Sequence, residues 1–310
     1  VVHPQSACAG LTDESARPPE PVPTSSRRQA MIVEAGFFTG LEVRIPAVRQ
    51  AAGPVPCAVG KRVSRTKAMG LPHTQGLYDP ENEHDACGVG FVANIKNRTS
   101  HDIIEKGLLI LKNLDHRGAT GYDPMLGDGA GILIQLPDAL LRDEAGKLGI
   151  TLPAAGDYAC GTVFLPQSAN GAAACESVVA RIIHEEGLTF LGWRDVPRDS
   201  SILAEAARAI EPQMRQVLIA RPDTVADQTA FERKLFVVRK RVEHAVRALK
   251  LSDVGQFYIP SLSSRTIVYK GMLLANQVGE YFLDLQDNRA MSALALVHQR
   301  FSTNTFPTWD

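Results

Sequence analysis

The sequence predicts an α+β fold in which helices cover the faces of sheets. Two observations carry that expectation. Segments with period-two apolar alternation outnumber those with helical spacing, and neighbouring alternating segments are joined by short connections. A doubly wound parallel sheet needs a helix after nearly every strand, a rhythm this chain does not follow. Its 310 residues are 45% hydrophobic, enough for a sizeable core, and that length suggests about two domains.

The regular pattern begins at Cys87. Residues 1–68 carry "ARPPEPVPTSSRR" and "AAGPVPCAVGKR", rich in Pro, Ala, Ser and Arg without a sustained period. They read as a disordered leader or as a start placed too early, with Met31 and Met69 as alternative first residues. "SSRRQAMIVEAGFF" has the arginine pair of an export signal, but Glu34 and Glu42 interrupt the apolar run such a signal needs. Residues 69–86 lead up to the cysteine.

From there each element has its own signal. Cys87, Val89, Phe91, Ala93 and Ile95 fall on one face of a strand, while Gly88 and Gly90 fall on the other, which leaves room for a backbone or a ligand to approach. Ser100 can cap a helix in which Ile103, Ile104, Gly107, Leu108, Leu111 and Leu114 recur at helical spacing. "GILIQLP", "YACGTVFLP", "LTFLGW", "FYIPSL", "RTIVYKG" and "ALALVHQRF" read as further strands, and helical patterns surround residues 138–147, 171–186, 203–211 and 240–250.

Between the first helix and the second strand lies "DHRGATGYDPMLGDGAGILIQLP", with five glycines from Gly118 to Gly131. A dinucleotide-binding loop follows a strand and opens a helix, so the order here is reversed and nucleotide binding is not predicted. The segment reads as a long turn, with Arg117 and Asp128 as its polar candidates. At the far end, "HQRFSTNTFPTWD" sets Arg300 beside Ser302, Thr303, Asn304 and Thr305, a guanidinium among hydroxyls and an amide that suits a carboxylate.

Composition excludes several functions. The 33 basic and 34 acidic residues nearly balance, so no nucleic-acid or membrane partner is predicted, and a small-molecule substrate is. No apolar run approaches the roughly 20 residues that span a bilayer. Five scattered cysteines, with no C-x-x-C pair, argue against a disulfide framework or a metal site and point to the cytoplasm. Cys160 and Cys175 sit in apolar patterns and read as core. The basic run "ERKLFVVRKRVEHAVR" alternates with apolar positions like a solvated face.

"YDPENEHDACGVGFVANI", "LLILKNLDHRGATGYDPMLGDGAGILIQLP", "LGWRDVP" and "ALVHQRFSTNTFPTW" together resemble the amino-terminal glutamine amidotransferase type 2 domain of the glutamate synthase large subunit. The resemblance implies a four-layer αββα N-terminal-nucleophile hydrolase over residues 87–310, with 69–86 a propeptide removed to free Cys87. It implies that Cys87 attacks the glutamine side-chain amide and that Arg300, with Ser302 and Thr303, binds the substrate. The family's Asn-Gly oxyanion pair and amino-binding aspartate are then expected beyond Asp310, so the domain is expected to be C-terminally incomplete. No cofactor is assigned to this segment; FMN, an iron–sulfur cluster and an NADPH-linked small subunit are implied for the full-length enzyme. Another N-terminal-nucleophile amidase, or a noncatalytic remnant, stays open on the residues alone.

The chemistry is self-consistent. An ordinary thiol with pKa about 8.5 is only a few per cent ionised at neutral pH, whereas a cysteine at a free N-terminus has an α-amine of pKa about 8 to take its proton.

Overall fold

A computed structural model of the chain describes residues 87–118, 123–251, 253–301 and 307–309. The expected leader (1–68) and propeptide (69–86) lie outside the described residues. The strands are β1 (Gly88–Ala93), β2 (Ala130–Gln135), β3 (Tyr158–Leu165), β4 (Thr189–Asp195), β5 (Gln213–Ala220), β6 (Tyr258–Ser263), β7 (Thr266–Gly271) and β8 (Leu294–Gln299). The helices are α1 (His101–Asn113), α2 (Asp138–Lys147), α3 (Ala169–Glu185), α4 (Glu205–Ala209), α5 (Gln228–Arg247) and α6 (Gln277–Tyr281). The α+β expectation holds.

One antiparallel sheet has the order β1-β8-β2-β7. Helix α1 packs on it through Ile103, Ile104, Gly107 and Leu111, with Asp102 in its first turn and Lys112 in its last complementing the helix dipole. Ser100 is extended at the N-cap position, but its side chain makes no capping hydrogen bond. The packing is close: a Cβ on Gly107 would lie 2.7 Å from the Cβ of Ala295 in β8. The bare face of β1 has the same cause. A side chain on Gly90 would meet Ile110, and one on Gly88 would lie 3.0 Å from the Cβ of Arg117. The crowding element is therefore α1 and the 3₁₀ turn Asp115–Arg117 that follows it. The opposite face of the sheet exposes Val89 (63%), Phe91 (55%) and Leu296 (41%).

The second antiparallel sheet has the order β4-β5-β3-β6. Apart from the five-residue α4 between β4 and β5, its elements follow the chain as βαββαβ from β3 to β6, and α3 and α5 both pack on one face through a shared apolar cluster. This is the split βαβ arrangement, with β3 and β5 at the centre. All eight residues of β3 are buried. Ser168 Oγ caps α3 by accepting from Gly171 N at 3.1 Å, and Asp227 Oδ1 caps α5 by accepting from Ala230 N at 2.7 Å.

The other face of this sheet joins the core of the first through Tyr158, Cys160, Phe164 and Leu218. A buried pair lies in that junction. Arg194 of β4 donates twice to Asp284, at 2.7 and 2.8 Å, and once to Gln216 of β5, while Tyr269 of β7 donates to Asp284 at 2.9 Å. The β6–β7 hairpin links the sheets covalently, and Glu232 accepts from Ser264 N and Oγ there, both at 2.6 Å.

Candidate active site

Antiparallel pairing puts Gly88 opposite Gln299, so the next residues outwards, Cys87 and Arg300, stand at the same end of two neighbouring strands. Phe301 N–H donates to Cys87 Sγ at 3.4 Å, and Sγ lies 3.8 Å from Phe301 O. The cysteine at the head of β1 is thus held against the chain leaving β8, more than two hundred residues later.

Arg300 is fixed from the other side. Its N–H donates to Gly129 O at 2.9 Å. Gly129 has φ +133°, a conformation that favours glycine, and a side chain on Gly127 would collide with the Leu273 backbone. The glycine-rich segment is therefore a tight turn that brings Gly129 beside Arg300 and holds Asp128 buried near it.

A cleft of about 700 Å³ opens on this face, lined among others by Asp128, Gly131, Lys270, His298, Arg300 and Trp309. Gly131 of β2 pairs with both Lys270 and His298, so the two side chains flank a position with none of its own. Lys270 Nζ lies 4.4 Å from the centre of the Tyr258 ring. Burial holds the His298 imidazole below its usual pKa, and the Arg300 and Lys270 cations push in the same direction. A cleft with two permanent cations on its walls suits a carboxylate-bearing ligand.

The structure thus brings together Cys87, Arg300 and, through the Cβ of Arg117 against Gly88, the first polar candidate of the glycine-rich segment. Ser302 and Thr303 lie outside the described residues. Cys160 and Cys175 are buried, and burial pushes their thiols up to about 12 and about 11, so both are inert core residues, as their patterns predicted. His298 and Lys270 were not singled out in the sequence, because only the pairing of distant strands sets them on either side of Gly131.

The fold places a strand-end cysteine next to the strand whose Arg300 lines the cleft. The chain belongs to the family "Glutamine amidotransferases class-II", which matches residues 87–310. It is 46% identical over 240 residues to the glutamate synthase [NADPH] large chain of Bacillus subtilis (strain 168), covering 77% of this chain and 15% of that protein. It is 46% identical over 248 residues to the glutamate synthase [NADH] of Schizosaccharomyces pombe, covering 78% and 12%. It is 39% identical over 270 residues to the ferredoxin-dependent glutamate synthase, chloroplastic, of Oryza sativa subsp. japonica, covering 86% and 16%. The chain therefore spans about a sixth or less of the length of these relatives.

Proposed function

We propose that this chain is the glutaminase portion of a glutamate synthase, in which Cys87 becomes the N-terminal nucleophile after cleavage between Ala86 and Cys87. The observation that carries the reading is the position of Cys87 Sγ at the head of β1, 3.4 Å from Phe301 N and on the strand beside Arg300. The α-amine freed by the cut takes the thiol proton, and the sulfur attacks the side-chain amide carbon of glutamine. The amine returns the proton to the departing nitrogen. Ammonia leaves a γ-glutamyl thioester, which water opens to glutamate and the thiol. Arg300 grips the substrate α-carboxylate, with Ser302 and Thr303 assigned to the same pocket by the resemblance.

In the full-length enzyme the ammonia is passed to 2-oxoglutarate in a separate domain. FMN, an iron–sulfur cluster and an NADPH-linked small subunit belong to that larger assembly. The described cysteines do not fit an iron–sulfur cluster, because Cys160 and Cys175 are buried in two different apolar clusters of the core. Among the described residues no helix is long and apolar enough to cross a membrane, and the reading places the enzyme in the cytoplasm. The same proposal includes the four-layer αββα stack. Its support is the apolar face bearing Val89, Phe91 and Leu296, which suits a second sheet supplied elsewhere in the longer polypeptide.

Intact mass of the mature protein tests the cut, and Cys87→Ser in the intact enzyme tests the nucleophile. The mature chain is expected to begin at Cys87, and the variant to lose glutamine-dependent turnover while keeping much of its ammonia-dependent synthesis. A glutaminase-active species retaining residues 69–86 would falsify the reading.

A further inference from the structure

Gln299 is fully buried, yet among the described residues neither its Oε1 nor its Nε2 has a hydrogen-bond partner. Among the described residues the other such buried atom is Arg215 Nε, and that lies 2.8 Å from Asp195 Oδ1 in an ion pair. A buried amide left unsatisfied is destabilising, so the placement calls for a reason.

Its surroundings supply one. Gln299 is directly across the strand pair from Gly88, one residue from Cys87. Its carboxamide packs against Gly118, where any side chain would run into it. Gly118 thus makes room for a polar group on the strand beside the root of the nucleophile, on the face opposite the Arg300 cleft. An acceptor without a donor, Oε1, thus sits on the residue paired with Gly88, one position from the start of the mature chain in the proposed reading.

We propose that Gln299 is a positioning residue for the α-amine of Cys87, its Oε1 accepting an N–H of that amine once the chain is cut. The inference rests on the proposed cleavage before Cys87. A peptide nitrogen there has one N–H and no lone pair to offer; the freed amine has further N–H groups for Oε1 and, when neutral, a lone pair for the thiol proton. An acceptor fixed by burial turns that lone pair towards Sγ, because one N–H direction is already taken. The ionisable groups on the elements around this amine are Lys112, Asp115, His116 and Arg117 from the end of α1 and its turn, His298 from β8, Arg300 just beyond it, and the Cys87 thiol.

The test uses Gln299→Met and Gln299→Glu in the intact polypeptide, with mature mass, thermal midpoint, and the pH dependence of kcat and kcat/KM for glutamine. Gln299→Met removes the proposed acceptor together with the Nε2 that still has no partner, and a thioether needs none, so its midpoint should stay close to that of the wild type. Its kcat should fall by about tenfold with KM unchanged. The acidic limb of its kcat/KM profile should move to lower pH, because the protonated amine has lost an acceptor. Gln299→Glu places a carboxylate beside the amine and should move that limb the other way, by about one unit or more. Opposite displacements are not the signature of a packing role.

A mature wild-type mass that includes residues before Cys87 removes the underlying reading. Correct N-termini with unchanged kcat and pH profiles in both variants overturn the Gln299 proposal alone. So does a cut that fails only in the variants, which would assign Gln299 to the cleavage, and so does a midpoint that falls in step with activity.

Discussion

In the proposed function, Arg300 concentrates recognition of the substrate carboxylate in one side chain. Its backbone is tied to Gly129 and its strand to the one headed by Cys87, so the guanidinium can select a carboxylate at a set distance from the sulfur. A lysine offers a point charge in place of a planar fork. Arg300→Lys in the intact enzyme is therefore expected to lower kcat/KM for glutamine by roughly tenfold to a hundredfold, the loss of a charge-assisted hydrogen bond. Alkylation of Cys87 by a small neutral reagent should change little, since that reagent has no carboxylate. Unchanged glutamine kinetics would make Arg300 a bystander, and equal loss of both reactivities would make it a support for the sulfur. The positions of both residues were legible in the sequence because each sits at the boundary of an alternating run. Gln299 was in view in the same "HQR" triplet and carried no signal, because its burial against Gly118 and its orphaned amide exist only once β8 pairs with β1.

At the scale of elements, the site depends on how α1 settles on β8. Gly107 lets the helix come within contact of Ala295, and a methyl group there meets the Ala295 Cβ at 2.7 Å. Helix propensity favours Gly107→Ala by about 1 kcal/mol, but overpacking typically costs about 1 to 3 kcal/mol. The variant is expected to lose stability in denaturant titration, and Ala295→Gly in the same background to recover much of it. Additive losses would show that the contact is not the cause. Most elements could be read from periodicity, including α2 and the strands β2 and β7 that flank the cleft. β5 was missed because "QMRQVLIA" opens with Gln, Arg and Gln; Gln216 is buried in this strand only because Arg194 donates to it from β4. The helical pattern seen at 240–250 is the end of α5, which starts at Gln228; the densely charged outer positions hid the buried stripe of Phe231, Leu235, Val238 and Val242. The five residues of α6 are too few for a period to register.

The described residues form two sheets joined across a buried charge. Arg194 and Asp284 are both nearly inaccessible, and burial opposes the Arg194 charge while its hydrogen bonds to Asp284 sustain it. Removing one partner of such a pair typically costs about 3 to 5 kcal/mol because the other charge is stranded, while replacing both by apolar groups can be neutral. Asp284→Asn should therefore lower the denaturation midpoint sharply, and Arg194→Met with Asp284→Leu should cost less than Asp284→Asn alone. A double variant worse than either single would mean the pair holds the sheets by more than charge balance. The βαββαβ unit has a consequence of another kind. β3, which opens it, and β6, which closes it, are antiparallel neighbours, with Cys160 opposite Ser263. Entry and exit of the chain are side by side, the geometry in which an inserted unit leaves its host unstretched. A gene could gain this stretch in a single event, or carry versions of different length, while the strands bearing Cys87 and Arg300 kept their register, so the evolutionary history of the unit can be independent of that of the site it adjoins.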